Sequence, residues 1–164
     1  MKQLLLIIIS LLSINFYGQG HGRYYKQTDD DTLTLKDQIN IYTKEIELNP
    51  KDGNAYVYRG STKNDVGDYK GAIQDYNKAI ELGFELTDTY RKRGDAKHNM
   101  RDYKGAINDY TKAIELDPIY SGYPFLRGYS KYKLKDYKGA CLDWKKALEL
   151  GSQDAPEMIR KFCK

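Results

Sequence analysis

The chain repeats one sentence at a fixed interval. "DYKGAIQDYNKAIEL" begins at Asp68, "DYKGAINDYTKAIEL" at Asp102 and "DYKGACLDWKKALEL" at Asp136, each 34 residues after the last, with nothing inserted or lost between copies. A strict period of this length marks an array of small units that stack on their neighbours, because one unit alone cannot bury its apolar face. The chain of 164 residues has room for only a few such units, so it is one short array or one compact domain.

Inside each copy the apolar spacing is helical. Tyr103, Ala106, Ile107, Tyr110, Ala113 and Ile114 share one face, while Lys104, Asn108, Asp109 and Lys112 fall mostly outside it. Upstream, "TDTYRKRGDAKHNM" reads as a second helix, with Thr87 or Asp88 as its N-cap and a stop near Arg101 and Asp102. Pro118 and Pro50 punctuate helix exits. Each unit is therefore helix, tight turn, helix. Gly60, Gly94 and Gly128 fall inside first helices, where Gly costs about 1 kcal/mol against Ala, so close helix approach is the expected gain. The expectation sets Gly94 opposite Ala106, with Ala72 and Ala140 in the matching places and Tyr76, Tyr110 and Trp144 filling the space above each pair.

Charge and composition exclude several functions. The net charge of +4 is carried by Lys and Arg interspersed with acids, so no basic stripe suited to nucleic acid stands out. There are two His, and no H-E-x-x-H, G-x-S-x-G or G-K-[ST] motif, so the sequence implies no enzyme, no metal, no cofactor and no small-molecule substrate. Sixteen Tyr against four Phe suit a thin core in which rings are buried and hydroxyls stay near water.

The N-terminus reads as an address. "MKQLLLIIISLLSINFYGQG", residues 1–20, has Lys2, an apolar run from Leu4 to Leu12 extending to Ile14 and Phe16, then Gly18 and Gly20, which is the order of a secretory signal peptide. The run is short for a membrane span of roughly 20 residues, and cleavage is expected between Gly18 and His21. Residues 21–32, "HGRYYKQTDDDT", read as a polar tether. The expected location is the periplasm or cell envelope. An uncleaved segment would instead anchor the chain to a membrane.

The aromatic followed three residues on by Arg-Gly (Tyr56, Arg59, Gly60; Tyr90, Arg93, Gly94), then "GDYKGA", an aromatic, "KA" and a closing "EL", resembles the tetratricopeptide repeat, in an exported bacterial setting. Arg-Gly with the Asp before the second aromatic resembles the Arg-Gly/Asp variety. The resemblance implies an all-α, right-handed α-solenoid. It has a half repeat at residues 33–52, full repeats at 53–86, 87–120 and 121–154, and a closing helix at 155–164. Pro124 departs from the pattern where the other units have Tyr56 and Tyr90, which would shift the helix start and put Tyr123 or Phe125 in the pocket.

Columns that recur in every unit are read as structural. Arg59, Arg93 and Arg127 would pair with Asp75, Asp109 and Asp143, and Lys63, Lys97 and Lys131 would be packing stems with solvated heads. Columns that vary are free for binding. In the resembled fold the first helices line a groove, facing it here with Asn54, Val57, Ser61 and Asn64 in the first unit. Asp88, Arg91, Asp95 and His98 follow in the second, then Gly122, Phe125, Tyr129 and Tyr132 in the third. Such a groove implies a peptide or protein partner, with an acidic or hydrogen-bonding part and an apolar anchor. The clamp by which some members of the family hold chaperone C-terminal carboxylates needs Lys and Asn where Val57 and Ser61 stand, so that ligand is not expected. The alternative role is a membrane-associated spacer or oligomerisation module.

Cys141 occupies the column of Ile73 and Ile107, and Cys163 lies in the tail that would close the solenoid, so the two would face each other. In an oxidising compartment they would form a bridge, and otherwise they are packing residues.

Overall fold

The computed structural model describes residues 33–164, and the signal and tether readings at 1–20 and 21–32 lie outside them. Eight helices and no strand occur among the described residues. They are α1 (Leu35–Leu48), α2 (Gly53–Asp65), α3 (Tyr69–Glu81), α4 (Leu86–Asn99), α5 (Tyr103–Leu116), α6 (Gly122–Lys133), α7 (Tyr137–Glu149) and α8 (Ala155–Phe162). Each packs on the next in sequence, and α2 also touches α4, so the contacts run as a chain of neighbours in the manner of a solenoid.

The repeated Asp starts each second helix. Asp68, Asp102 and Asp136 are N-caps whose carboxylates accept from the backbone N–H of Gly71, Gly105 and Gly139 at 2.9 Å. The residue before each cap, Gly67, Arg101 or Lys135, takes a left-handed conformation that turns the chain between the two helices of a unit. The second unit departs from the expected cap. Its first helix begins at Leu86, and Glu85 precedes it with φ 34° and no side-chain hydrogen bond, so neither Thr87 nor Asp88 caps it. Thr89 supplies a tie instead, donating from Oγ1 to the Phe84 carbonyl at 3.2 Å.

The mid-helix glycines meet aromatic rings first, and at Gly128 the Ala140 carbonyl also comes within 3.2 Å of a Cβ. A Cβ on Gly94 would lie 2.7 Å from Tyr110 Cε1, one on Gly60 2.9 Å from Tyr76 Cε1, and one on Gly128 2.8 Å from Trp144 Nε1. The rings therefore lie flush on the first helix, and the nearest neighbour of Gly94 is Tyr110 rather than the expected Ala106. Tyr76, Tyr110 and Trp144 are at most 2% exposed, with Ala72, Ala106 and Ala140 fully buried beside them.

The recurrent charges hold each unit shut and tie it to the one before. Arg59, Arg93 and Arg127 each give two hydrogen bonds, from Nε and Nη2, to Asp75, Asp109 and Asp143 at 2.6–2.9 Å. Lys63, Lys97 and Lys131 do not have free solvated heads, because their Nζ atoms reach the same three carboxylates at 2.8–2.9 Å. The third guanidinium nitrogen points backwards along the array: Nη1 of Arg59, Arg93 and Arg127 donates to Thr43, Asn77 and Thr111 of the preceding unit.

Pro124 sits in the first turn of α6, where its missing N–H costs little, and the helix begins at Gly122, one position later than α2 does relative to the repeat. Tyr123 is buried at this entry, its ring tilted 58° against that of Tyr120 with centroids 4.6 Å apart, and Phe125 packs instead toward the Ala140 and Trp144 cluster. The guanidinium over the Tyr56 and Tyr90 rings, at 5.7 and 5.3 Å, has no counterpart at Pro124.

At the C-terminal end α8 covers the last unit. Met158, Ile159 and Cys163 pack on a cluster centred on Ala140 and Trp144, and Phe162 lies 4.6 Å from Tyr132 and 5.9 Å from Trp144 between ring centroids. Cys141 and Cys163 are joined by a disulfide with Cα atoms 5.6 Å apart. Cys163 stands just past the last turn of α8 as its C-cap.

Candidate functional site

Between the first helices of the second and third units lies a cavity of about 480 Å³. It gathers five of the residues expected to face a groove: Asn64, Asp95, His98, Phe125 and Tyr129. Asn99, Leu126 and Tyr110 complete the lining and were not anticipated. Tyr110 was legible as a core ring, but only the structure shows that its far edge reaches the cavity.

That reach is part of a column. The Tyr76 hydroxyl donates to Ser61 Oγ at 3.3 Å, the Tyr110 hydroxyl to Asp95 Oδ1 at 2.7 Å, and Trp144 meets the Tyr129 ring edge-on at 6.3 Å. In all three units the aromatic of the second helix thus contacts the residue two after the Arg. The groove position is held by the core in each unit, while its chemistry changes from hydroxyl to carboxylate to ring.

Not every expected groove residue is available. Val57 is 4% exposed and packs with Ala72 and Tyr76, so it belongs to the core and not to a binding surface. Tyr132 is committed to Tyr137, Trp144 and Phe162, and braces the closing helix. Asn54 is half-buried on α2 and does not line the cavity.

Arg91 is sealed by acids of its own helix. Its Nε and Nη2 donate to Asp88 Oδ1 at 3.0 and 2.8 Å, and its Nη1 to Asp95 Oδ2 at 2.6 Å. Lys92 reaches Asp88 at 2.9 Å. Burial works against the Asp88 charge, but the hydrogen bonds from Lys92 and Arg91 outweigh it and hold the carboxyl below its ordinary range. Two cations and two anions cancel, so this patch presents no spare positive charge to an acidic ligand.

Asp95 is in the opposite condition. Burial pushes its pKa up, with the Tyr110 hydrogen bond and Arg91 only partly offsetting. His98 is held below its ordinary value by burial first and by the nearby Lys133 second, so at neutral pH the imidazole is uncharged. Its Nδ1 lies 2.8 Å from Ser130 Oγ. With the Ser130 hydroxyl donating to the Leu126 carbonyl at 3.3 Å, the imidazole donates through Nδ1 and leaves Nε2 as an acceptor. Burial also raises the Tyr110 phenol strongly, so it stays protonated and serves as donor. Asn64 Oδ1 is buried and accepts no hydrogen bond.

Residues 53–82 and 87–120 match the family model described as tetratricopeptide repeat. Tetratricopeptide repeats are thus detected over these two segments. Solved structures with the same architecture include MamA, with TM-score 0.69 and 22% identity over 84% of this chain and 80% of that one. MamA residues 41-end from Desulfovibrio magneticus RS-1 give TM-score 0.68 and 17% identity, covering 77% and 69%. The first tetratricopeptide domain of Spaghetti (RPAP3), solved bound to the HSP90 peptide SRMEEVD, gives TM-score 0.63 and 22% identity, covering 68% and 90%. At these identities the likeness is one of fold. No curated protein sequence matches this chain.

Among the described residues no group of three or more His, Cys, Asp and Glu could hold a metal ion, and no helix is long and apolar enough to cross a membrane.

Proposed function

We propose that this protein is a non-enzymatic interaction scaffold, exported to the periplasm or cell envelope, that holds an extended segment of a protein partner in the groove along α2, α4 and α6. The observation that carries the reading is the cavity between α4 and α6, walled by Phe125 and Tyr129 and floored by groups that the core fixes in place. One side chain of a bound segment would enter it, and the flanking backbone would run along the first helices. That a repeat domain of the same fold is solved with a peptide adds support by analogy. The order of residues 1–20 and the Cys141–Cys163 bridge both favour an oxidising, exported setting. With Val57 buried and Ser61 engaged by Tyr76, the first unit lacks the groups that would grip a terminal carboxylate.

Site-resolved photocrosslinking tests the reading. A photoreactive residue at Tyr129, 37% exposed, should capture a discrete partner in cell-envelope extracts. The same residue at Leu142, 61% exposed and outside the cavity lining, should not. Capture from position 142 alone would move the interface off the groove.

A further inference from the structure

We propose that the edge of the array formed by the α4–α5 and α6–α7 turns docks on an anionic phospholipid surface. This edge is separate from the groove, since none of its cations or apolar tips lines the cavity. The chain itself supplies the comparison, because the same turn is built three times. Its side chains carry a charge of −1 over residues 65–70, +1 over 99–104 and +2 over 133–138. In the columns that change, Asp65 and Gly67 give way to Asn99 and Arg101, and then to Lys133 and Lys135. The turn does not need these cations. Gly67 serves the first turn at φ 82°, and Arg101 and Lys135 take the same left-handed conformation at 66° and 65°, where the backbone favours glycine. Cations held where glycine would be easier point to a use outside the fold.

The acids beside them are occupied. Asp136 caps α7 through the Gly139 N–H, and Asp143 takes Arg127 and Lys131. Lys133, Lys135 and Lys138 are exposed and have no acidic partner within ion-pair distance among the described residues. Residues 121–164 hold ten Lys and Arg against five Asp and Glu, whereas 33–120 hold fourteen against fifteen, so the positive field gathers at this end. Apolar side chains stand among the charges. Met100 and Leu134, in one column, are 37% and 39% exposed, and Tyr137 is 51% exposed. Phe162, also 37% exposed, joins them because Tyr132 contacts both its ring and that of Tyr137. The charge of Lys133 acts on His98 at the end of α4, so the two turns are neighbours. An anionic bilayer takes this combination: cations sit at the headgroups while single apolar and aromatic tips enter the interface. An acidic polypeptide would want a recess for its side chains, and the cavity of the groove lies among other residues.

The test is co-sedimentation of the full-length mature chain, its disulfide intact, with vesicles of phosphatidylcholine alone or with roughly a third phosphatidylglycerol. Partition should be about tenfold or more stronger on the anionic vesicles and should fall as salt is raised. Lys133→Asp with Lys135→Gly copies the turn of the first unit, so the urea midpoint should not drop. Partition of that variant should fall about twentyfold or more, at about fivefold for each charge near the surface. Lys44→Asp with Lys51→Gly, both exposed at the far end of the array, makes the same change of net charge and should move partition by less than about twofold. Leu134→Ser should weaken vesicle binding with charge unaltered. Equal partition on the two vesicle types, or equal loss in the two double variants, overturns the proposal. Poly-glutamate bound as well by Leu134→Ser as by the natural chain, with vesicles left unbound, makes an acidic polypeptide the occupant and overturns the membrane assignment. The groove reading stands under any of these results, because it is read at Tyr129.

Discussion

The Tyr110 hydroxyl donates to Asp95 Oδ1 at 2.7 Å, while the edge of the same ring lies against Gly94. One side chain thus wedges two helices together and sets the position of a groove carboxylate. The ring cannot slide away from an intrusion at Gly94 without breaking the contact at Asp95.

Gly94→Ala is therefore expected to destabilise the middle unit by about 1–3 kcal/mol, against the helix propensity that Ala would otherwise add. Gly94→Leu should cost more. Urea melts followed by far-UV circular dichroism check this, and an unchanged or raised midpoint for Gly94→Ala would contradict the ring contact.

Asp109 is 4% exposed on its side chain and receives Arg93 and Lys97 together. Asp109→Ala strands two cations at the unit's centre and should cost about 3–5 kcal/mol, whereas Lys97→Met, which leaves the bidentate Arg93 pair intact, should cost far less. Chemical denaturation of the two variants side by side reads the difference. Equal losses would mean that the Arg93 pair adds nothing beyond the Lys97 contact, and would overturn this account.

His98 gives stability a definite pH slope. Its folded pKa lies below the ordinary 6.5, so between the two values the unfolded chain binds more protons. The contribution is fully present above pH 6.5 and is lost as pH falls through the folded value. Natural protein should lose more stability than His98→Gln on going from pH 7.5 to pH 5, by equilibrium urea unfolding at each pH. Parallel curves for the two proteins would remove His98 as the cause.

The Cys141–Cys163 bridge closes a loop of sequence separation 22, for which the chain-entropy description gives about 3 kcal/mol. Reduction, or Cys141→Ser with Cys163→Ser, should loosen α7 and α8 first and leave α2 and α3 nearly as before. Hydrogen exchange by mass spectrometry resolves that gradient, and a uniform loss of protection would refute it. Alkylation without reductant on protein taken from the periplasm should label neither thiol.

The architecture was legible because the period and the 3.6-residue spacing depend on residues near in sequence, and the Arg-to-Asp pairing because both columns recur. What escaped depended on side chains meeting across helices. Val57 stands in a column that leaves Arg91 and Phe125 half-buried in the other units, yet it is small and apolar beside Tyr76, and so it joined the core. The solvated heads assigned to Lys63, Lys97 and Lys131 failed because the carboxylate oxygen that accepts from each Arg Nε has a further lone pair within their reach. The unpartnered Asn64 Oδ1 left no trace in the sequence at all, since a missing contact has no pattern.

The backward reach of the arginines also bears on how a further unit could join the array. Thr43, Asn77 and Thr111 accept a hydrogen bond from the Arg of the unit that follows, and the next residue in that column is Lys145, which has only donors to offer. A fourth full unit spliced in after residue 154 would bring its Arg to face a like charge. A unit joined there would keep its own Arg-to-Asp pair but lose the backward tie that links the other units, until residue 145 became an acceptor.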